Sequence, residues 1–292
     1  MKFNTIELIR KIFLNWPFPR GKGLLMKVFF PYLRTRDFRF ELKNGVTIPG
    51  QPIDEYITKW MFIHGYENEK EYAMTHKLIR PGDVILDIGA NMGLWSMIPA
   101  AEFGDKIKIF AFEPVPSIYQ TLNQNINYNR LESSYHCNNI GISDTGGELL
   151  FNIDLANSGM GYLATEQKNA GEQIRVKTVR LSNFRRENDI QQVNLVKIDV
   201  EGAETQILDS DPELFQSPDA PIITIEIIDE QLKRFGSSAD LLIMKLRNWG
   251  YSFKYLEPES NKLKDLKDGF ETLNIHNVLC FKANNLDRIN GL

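Results

Sequence analysis

Cysteine is nearly absent. The 292 residues hold two, Cys137 and Cys280, both in apolar segments that read as buried strands and neither in a CxxC pair. A disulfide framework is therefore not expected, and the two thiols read as inert core residues of a reducing compartment. Long apolar runs are also missing. The greasiest early stretch, 24–33, is broken by Lys27 and Pro31, well short of the roughly 18 residues that span a bilayer. Lys2, Glu7, Arg10 and Lys11 interrupt the first apolar residues and no small-residue cleavage site follows, so a secretory signal is not expected. Repeats and low-complexity tracts are lacking. What remains, 42% hydrophobic and 25% charged, is ordinary for a globular enzyme with a sizeable core and implies a soluble, cytoplasmic chain.

Charge is unevenly spread. The whole chain carries −4, but residues 1–45 hold ten Lys or Arg against three Asp or Glu, a local +7 that leaves −11 for the rest. A basic, aromatic-rich arm on an acidic body suits contact with phosphate-bearing substrates, lipid head groups or nucleic acid; the plainer alternative is a solvated face of a small subdomain. Five prolines punctuate residues 1–69, and Asn44-Gly45 sits between alternating segments as a hairpin turn signal. We read 1–69 as an accessory, substrate-facing region and 70–292 as the main domain.

From residue 69 onward apolar strand-like runs alternate with helical patterns, which implies a mostly parallel sheet covered on both faces. The expected strands are 84–88, 107–112, 135–142, 194–200, 222–228, 251–256 and 277–281, seven in all, with helices at about 70–80, from 94, 116–129, 202–216 and 239–249 between them. A hairpin, 149–153 with 174–179, interrupts the alternation.

In an open sheet of this kind ligands bind at the carboxyl ends of the strands where the order reverses. After the first strand comes Asp87-Ile88-Gly89-Ala90-Asn91-Met92-Gly93. Its glycines let the backbone turn sharply, and the N–H groups of the helix that follows are expected to face an anionic ligand group. The dinucleotide fingerprint GxGxxG is missing at this turn. Glu113, 26 positions after Asp87 at the end of the second strand, can accept the protons of both ribose hydroxyls. In the fourth strand a two-residue period sends Lys197, Asp199 and Glu201 to one side, and Glu226 ends the fifth. Three ionisable groups on a central strand are either a structural ion pair or catalytic machinery. Their place at the cofactor end of the sheet favours catalysis, with Asp199 as base or acceptor anchor. No metal is expected, since no second Asp/Asn pair completes a site. His64 and His76 precede the domain and can reach over the site, and 157–162 has the composition of a lid or a hairpin tip.

The run Asp87-Ile-Gly-Ala-Asn-Met-Gly-Leu-Trp-Ser96, the triplet Phe112-Glu113-Pro114 and Lys197-Ile-Asp-Val-Glu-Gly-Ala-Glu204 together resemble the FkbM family of S-adenosylmethionine-dependent methyltransferases, as do Gly65-Tyr66-Glu67 and Arg80-Pro-Gly-Asp83. The likeness covers about 60–230. It implies a doubly wound, seven-stranded class I methyltransferase fold, with Asp87, Gly89, Asn91 and Gly93 lining the methionine part of S-adenosylmethionine and Glu113 the ribose. Asn139, Gly141, Ser143 and Asp144 are the implied adenine neighbours. The implied activity is O-methylation of a small molecule or glycan, which the basic arm allows to be phosphorylated, nucleotide-linked or lipid-linked. A nucleic-acid methyltransferase is disfavoured by the acidic body and by Asp199-Val-Glu-Gly where Asn/Asp-Pro-Pro-Tyr would stand. A nicotinamide oxidoreductase is disfavoured by the missing GxGxxG, and a non-catalytic scaffold by the intact loop and carboxylates.

Overall fold

A computed structural model describes residues 5–17, 20–33, 37–52, 59, 61–63, 69–153, 161–163, 172–257, 260, 262–266 and 277–292. His64, Gly65-Tyr66-Glu67 and the segment 157–160 lie outside them. Strands β1 (Asp37–Glu41) and β2 (Thr47–Pro52) form the N-terminal antiparallel hairpin. Asn44 and Gly45 turn it with φ of 57° and 74°, the left-handed pair that an Asn-Gly turn supplies. Next come β3 (Val84–Ile88), β4 (Lys108–Phe112) and β5 (Tyr135–Asn138). A separate four-stranded sheet follows, made of β6 (Gly141–Ile142), β7 (Gly147–Ile153), β8 (Gly161–Leu163) and β9 (Glu172–Val179). Then β10 (Leu195–Ile198), β11 (Ile222–Glu226), β12 (Ser252–Glu257), β13 (Lys262–Asp265) and β14 (Asn277–Phe281) return to the main sheet.

The main sheet runs β13-β12-β14-β11-β10-β3-β4-β5. Strands β11, β10, β3, β4 and β5 are parallel neighbours, while β14, β12 and β13 add antiparallel. The doubly wound α/β sheet is therefore as expected, with all seven strands and an eighth, β13, on the edge. Its sequence Lys-Leu-Lys-Asp carries the charge that protects an edge strand and so lacks an apolar signature. The third expected strand divides, because Gly141–Ile142 leaves to pair with β9. The helix expected at 202–216 also divides, into Glu204–Asp209 and Pro212–Gln216. Pro212 has no N–H to continue the first, and Asp211 caps the second by accepting a hydrogen bond from the Leu214 N–H at 3.1 Å.

The two faces bury different neighbours. On one face Ile85, Ile109, Leu195, Ile222 and Leu279 share a single apolar cluster with Ile9, Phe13, Met26, Phe38 and Phe62 of the N-terminal region. On the other, Leu86, Ile88, Val196, Ile198 and Ile225 pack with Phe184, Leu208, Leu242 and Leu246. Both layers that a parallel sheet requires are thus supplied, one of them by residues ahead of the sheet in sequence.

The C-terminal helix Leu286–Ile289 is tied to the start of β3 by Arg288, which donates from both Nη atoms to the buried Asp83 carboxylate at 2.5 and 2.8 Å. Arg288→Ala leaves that carboxylate buried without its cation. The expected cost is about 3 kcal/mol, read as a lower urea midpoint at neutral pH.

Candidate active site

Strands β3 and β10 lie side by side with Asp87 opposite Lys197 in the register. Beyond them the chain turns back at Gly89 (φ 80°), whose Cα lies so close to the next strand that a Cβ would stand 1.8 Å from the Asp199 carbonyl oxygen. Only glycine permits that approach. The amides of Gly89 and Ala90 both donate to the Phe112 carbonyl, at 3.1 and 3.0 Å, which docks the loop against the end of β4. Asn91 takes the left-handed region (φ 51°) and donates its N–H to Glu113 Oε2 at 3.1 Å. Glu113 Oε1 accepts from the Val115 N–H at 2.9 Å.

The helix after the loop is Met97–Phe103, a little later than the expected start near 94, and every amide from Gly89 to Gly93 has a partner within the protein. The loop engages its own N–H groups because a tight turn brings Phe112, Glu113 and the Asn91 side chain within reach. Gly93 faces inward, where a Cβ would come 2.8 Å from Leu122 Cδ1.

Beneath the loop lies a buried charge network. Lys197 Nζ donates to Asp199 Oδ2 at 3.0 Å and to the Gly89 carbonyl at 3.3 Å, and lies 3.7 Å from Asp87 Oδ1. Asp87 is fully buried, and its other oxygen accepts from Ser96 Oγ, which in turn stands 2.6 Å from the Tyr135 hydroxyl. Burial pulls the Lys197 ammonium down, but Asp199 and Asp87 together outweigh it and hold its pKa above the ordinary value. Burial raises the Asp87 carboxyl, with Lys197 opposing.

Asp199 and Glu201 both follow β10, which ends at Ile198, so Glu201 reaches the site from a left-handed turn (φ 56°) rather than from the strand itself. Its carboxylate, those of Asp199 and of Glu226 have oxygens within 4.8 Å of one another. Burial and then the Asp199 charge push Glu201 up to about 7. Burial followed by Asp199 and Glu201 pushes Glu226 well above the usual carboxylate range. Repulsion among the three acids, on top of burial, holds Glu201 and Glu226 toward the protonated form, with Lys197 and, at Glu201, Arg234 opposing.

A cleft above this network is lined by Gly89, Asn91, Glu113, Asp199 and Glu201 on its polar side and by Pro114, Val115, Ile118, Phe151 and Val200 on its apolar side. The first five were read from sequence and are brought together. The apolar wall was not, although its first members directly follow Glu113. Asn139, Ser143 and Asp144 are not among the lining residues. Asn139 donates to the carbonyls of Glu113 and Pro114 at 2.9 and 3.1 Å, clamping that loop from behind, while Ser143 donates to Asp144 Oδ1 at 3.1 Å. A second, narrower hollow opens on the far side of Asp199, walled by Tyr72, Trp95, Thr224, Tyr255 and Asn277. No local motif announces these five, since they come from separate elements. His76 is buried and donates from Nε2 to the Trp95 carbonyl at 2.8 Å, a structural bond rather than a reach over the site.

The sequence profile of the methyltransferase FkbM domain matches residues 87–253, more than half of the chain. The chain belongs to the FkbM methyltransferase family. Similar proteins include methyltransferase sdnD of Sordaria araneosa, 29% identical over 42% of this chain and 58% of its own length. The 31-O-demethyl-FK506 methyltransferase FkbM of Streptomyces tacrolimicus is 28% identical over 44% of this chain and 60% of its own. The hexuronic acid methyltransferase AglP of Haloferax volcanii is 28% identical over 49% and 56%. The chain thus spans little more than half the length of these relatives. Among solved structures, a SAM-dependent O-methyltransferase from Thermotoga maritima superposes over 88% of this chain and 81% of its own, with 13% identity and a TM-score of 0.41. The FkbM match contains the residues of the cleft, except that the hollow beyond Asp199 draws Tyr72, Tyr255 and Asn277 from outside it.

Burial holds the Glu113 carboxyl up to about 7, against the pull of its two backbone amides. An acid with a raised folded-state pKa binds its proton more tightly folded than unfolded, so stability falls as pH rises from the unfolded value through about 7. Between pH 5 and pH 8 the ligand-free wild type is expected to lose about 1–3 kcal/mol of stability through this group, a loss that Glu113→Gln removes whatever its own baseline stability. Urea unfolding at the two pH values measures it.

Proposed function

We propose that the cleft binds S-adenosylmethionine and that the chain transfers its methyl group to a hydroxyl of a small molecule or glycan. One observation carries this: Asp199 lines both the cleft beside Glu113 and the hollow beside Tyr72 and Trp95, so a single carboxylate borders two compartments. The residues present fit the cofactor. Glu113 offers acceptor oxygens to ribose hydroxyls, Pro114, Val115 and Ile118 offer an apolar wall to a base, and Asp199, Glu201 and Glu226 supply negative potential for a sulfonium. Gly89 and Asn91 border the methionine end, with Asp87 and Gly93 acting from beneath by setting the loop. The names of the relatives point the same way, toward small-molecule and sugar acceptors.

S-adenosylmethionine supplies an electrophilic methyl carbon when bound. The protein's own work is to hold the acceptor oxygen in line and to take its proton. Asp199 is the base in this reading, kept in place by the Lys197 ammonium at 3.0 Å. Orientation contributes on the order of 7–11 kcal/mol to such displacements, and a positioned base adds roughly 10²–10⁴ in rate. The charge of Asp199, Glu201 and Glu226 is balanced by Lys197 and by protons, without a metal. We assign residues 70–292 to catalysis and to both compartments, with 1–69 as an accessory region whose apolar residues pack behind the sheet.

Three outcomes check these assignments. Asp199→Asn should lower kcat by about 10²–10⁴ in a labelled-methyl transfer assay while S-adenosylhomocysteine affinity by calorimetry stays near wild type, and EDTA should leave turnover unchanged. Glu113→Ala should weaken S-adenosylhomocysteine binding by about 1–3 kcal/mol. Ribose hydroxyls donate to the ionised carboxylate, so wild-type affinity should rise about tenfold per pH unit below about 7 and level off above it, a slope that Glu113→Ala abolishes.

A further inference from the structure

The helices Thr5–Leu14 and Lys22–Leu33 each have a buried side and an unusual outer side. Ile9 and Phe13 of the first and Met26 and Leu33 of the second enter the core, and the helices touch where Phe13 meets Phe29 edge-on at 6.3 Å. The outer sides are apolar too. Leu8 is 53% exposed and Ile12, one turn on, 39%; Leu24 is 70% exposed and Val28, one turn on, 67%. Among the described residues, six of the eleven exposed large hydrophobic side chains fall within these two helices, so the exposure is concentrated rather than scattered. Lys11 is exposed next to Ile12, Lys27 next to Val28, and Arg20 lies in the connection between the helices.

We propose that this face is a docking surface for an anionic lipid bilayer, with Leu8, Ile12, Leu24 and Val28 entering the interfacial layer and Lys11, Arg20 and Lys27 meeting the head groups. Exposed apolar side chains one turn apart on a helix, flanked by long cationic ones, are what an interfacial contact requires. Charge selects the occupant. Lys11, Arg20 and Lys27 are all exposed on these elements, so a second copy using the same side would set cation against cation, whereas an anionic leaflet complements them. No helix among the described residues is long and apolar enough to cross a membrane, so the contact is peripheral.

The test is co-sedimentation of the full chain with vesicles of phosphatidylcholine alone or mixed with phosphatidylglycerol. Binding to the mixed vesicles is expected, falling with added salt and at least about tenfold weaker for the double variant Leu24→Asp/Val28→Asp and for Lys11→Glu/Lys27→Glu. All four positions are exposed, and an unchanged melting temperature and S-adenosylhomocysteine affinity confirm that the variants fold. Equal sedimentation on both vesicle types, none on either, or binding unaltered by Leu24→Asp/Val28→Asp overturns the proposal. A concentration-dependent dimer that this double variant dissolves also overturns it, in favour of a second copy.

Discussion

The Lys197 ammonium lies beneath the glycine loop, and the loop, the two central strands and the carboxylates above them are arranged around it. It reaches Asp87 on β3, Asp199 after β10 and the Gly89 carbonyl at the turn, so a single side chain joins the three segments that form the floor of the cleft. An ammonium is costly to bury alone, and a fully buried Asp87 is costly too. Each is tolerable because the other is present, with the Ser96 hydroxyl as a further partner. The closeness of Gly89 to Asp199 follows from the same packing. The network leaves no room for a Cβ at Gly89, and the backbone is held where a ligand can approach it.

The acids around Asp199 exceed the positive charge available to them. Glu201 and Glu226 are both pushed toward the neutral form by burial and by Asp199, and Glu113 by burial. Such a site holds protons near neutral pH at the expense of stability, since a carboxyl that ionises only with difficulty weakens the folded state once it does ionise. A cationic ligand relieves that tension by supplying the missing positive charge. That charge balance supports the sulfonium ligand proposed above.

Much of the cleft was legible in the sequence because its polar residues sit in short, contiguous strings. Gly89 and Asn91 share one loop, Glu113 follows the next strand, and Lys197 and Asp199 sit two apart at the end of the fourth, so chain order placed them; Glu201 arrives by a left-handed turn that strand alternation does not foresee. The strand order was legible for the same reason, each strand being a compact apolar run. The hollow beyond Asp199 was not. Tyr72, Trp95, Thr224, Tyr255 and Asn277 come from five elements and meet only through the sheet's tertiary arrangement. Spacing identifies the glycine turn but does not say where the turn's own N–H groups point, which here is at Phe112, Glu113, Ala90 and Asn91. Asn139, an adenine neighbour by family likeness, also braces the Glu113 loop, a bond that spacing does not announce.

The N-terminal region is joined to the site by more than shared core. The helix Glu69–His76 brings Thr75 and His76 against Trp95 in the turn that follows the glycine loop: the Trp95 indole donates to Thr75 Oγ1 at 3.1 Å, and His76 donates to the Trp95 carbonyl at 2.8 Å. Trp95 thus faces the hollow beside Asp199 while its polar groups are fixed by the helix that leads in from the N-terminal region. Ser96, the next residue, bonds Asp87 and so enters the Lys197 network. A continuous path of direct contacts therefore runs from that helix through Trp95 and Ser96 to the buried lysine. That helix therefore helps to set the wall of the hollow, because Trp95 is held by it on one side and is covalently joined to the Ser96 that bonds Asp87 on the other.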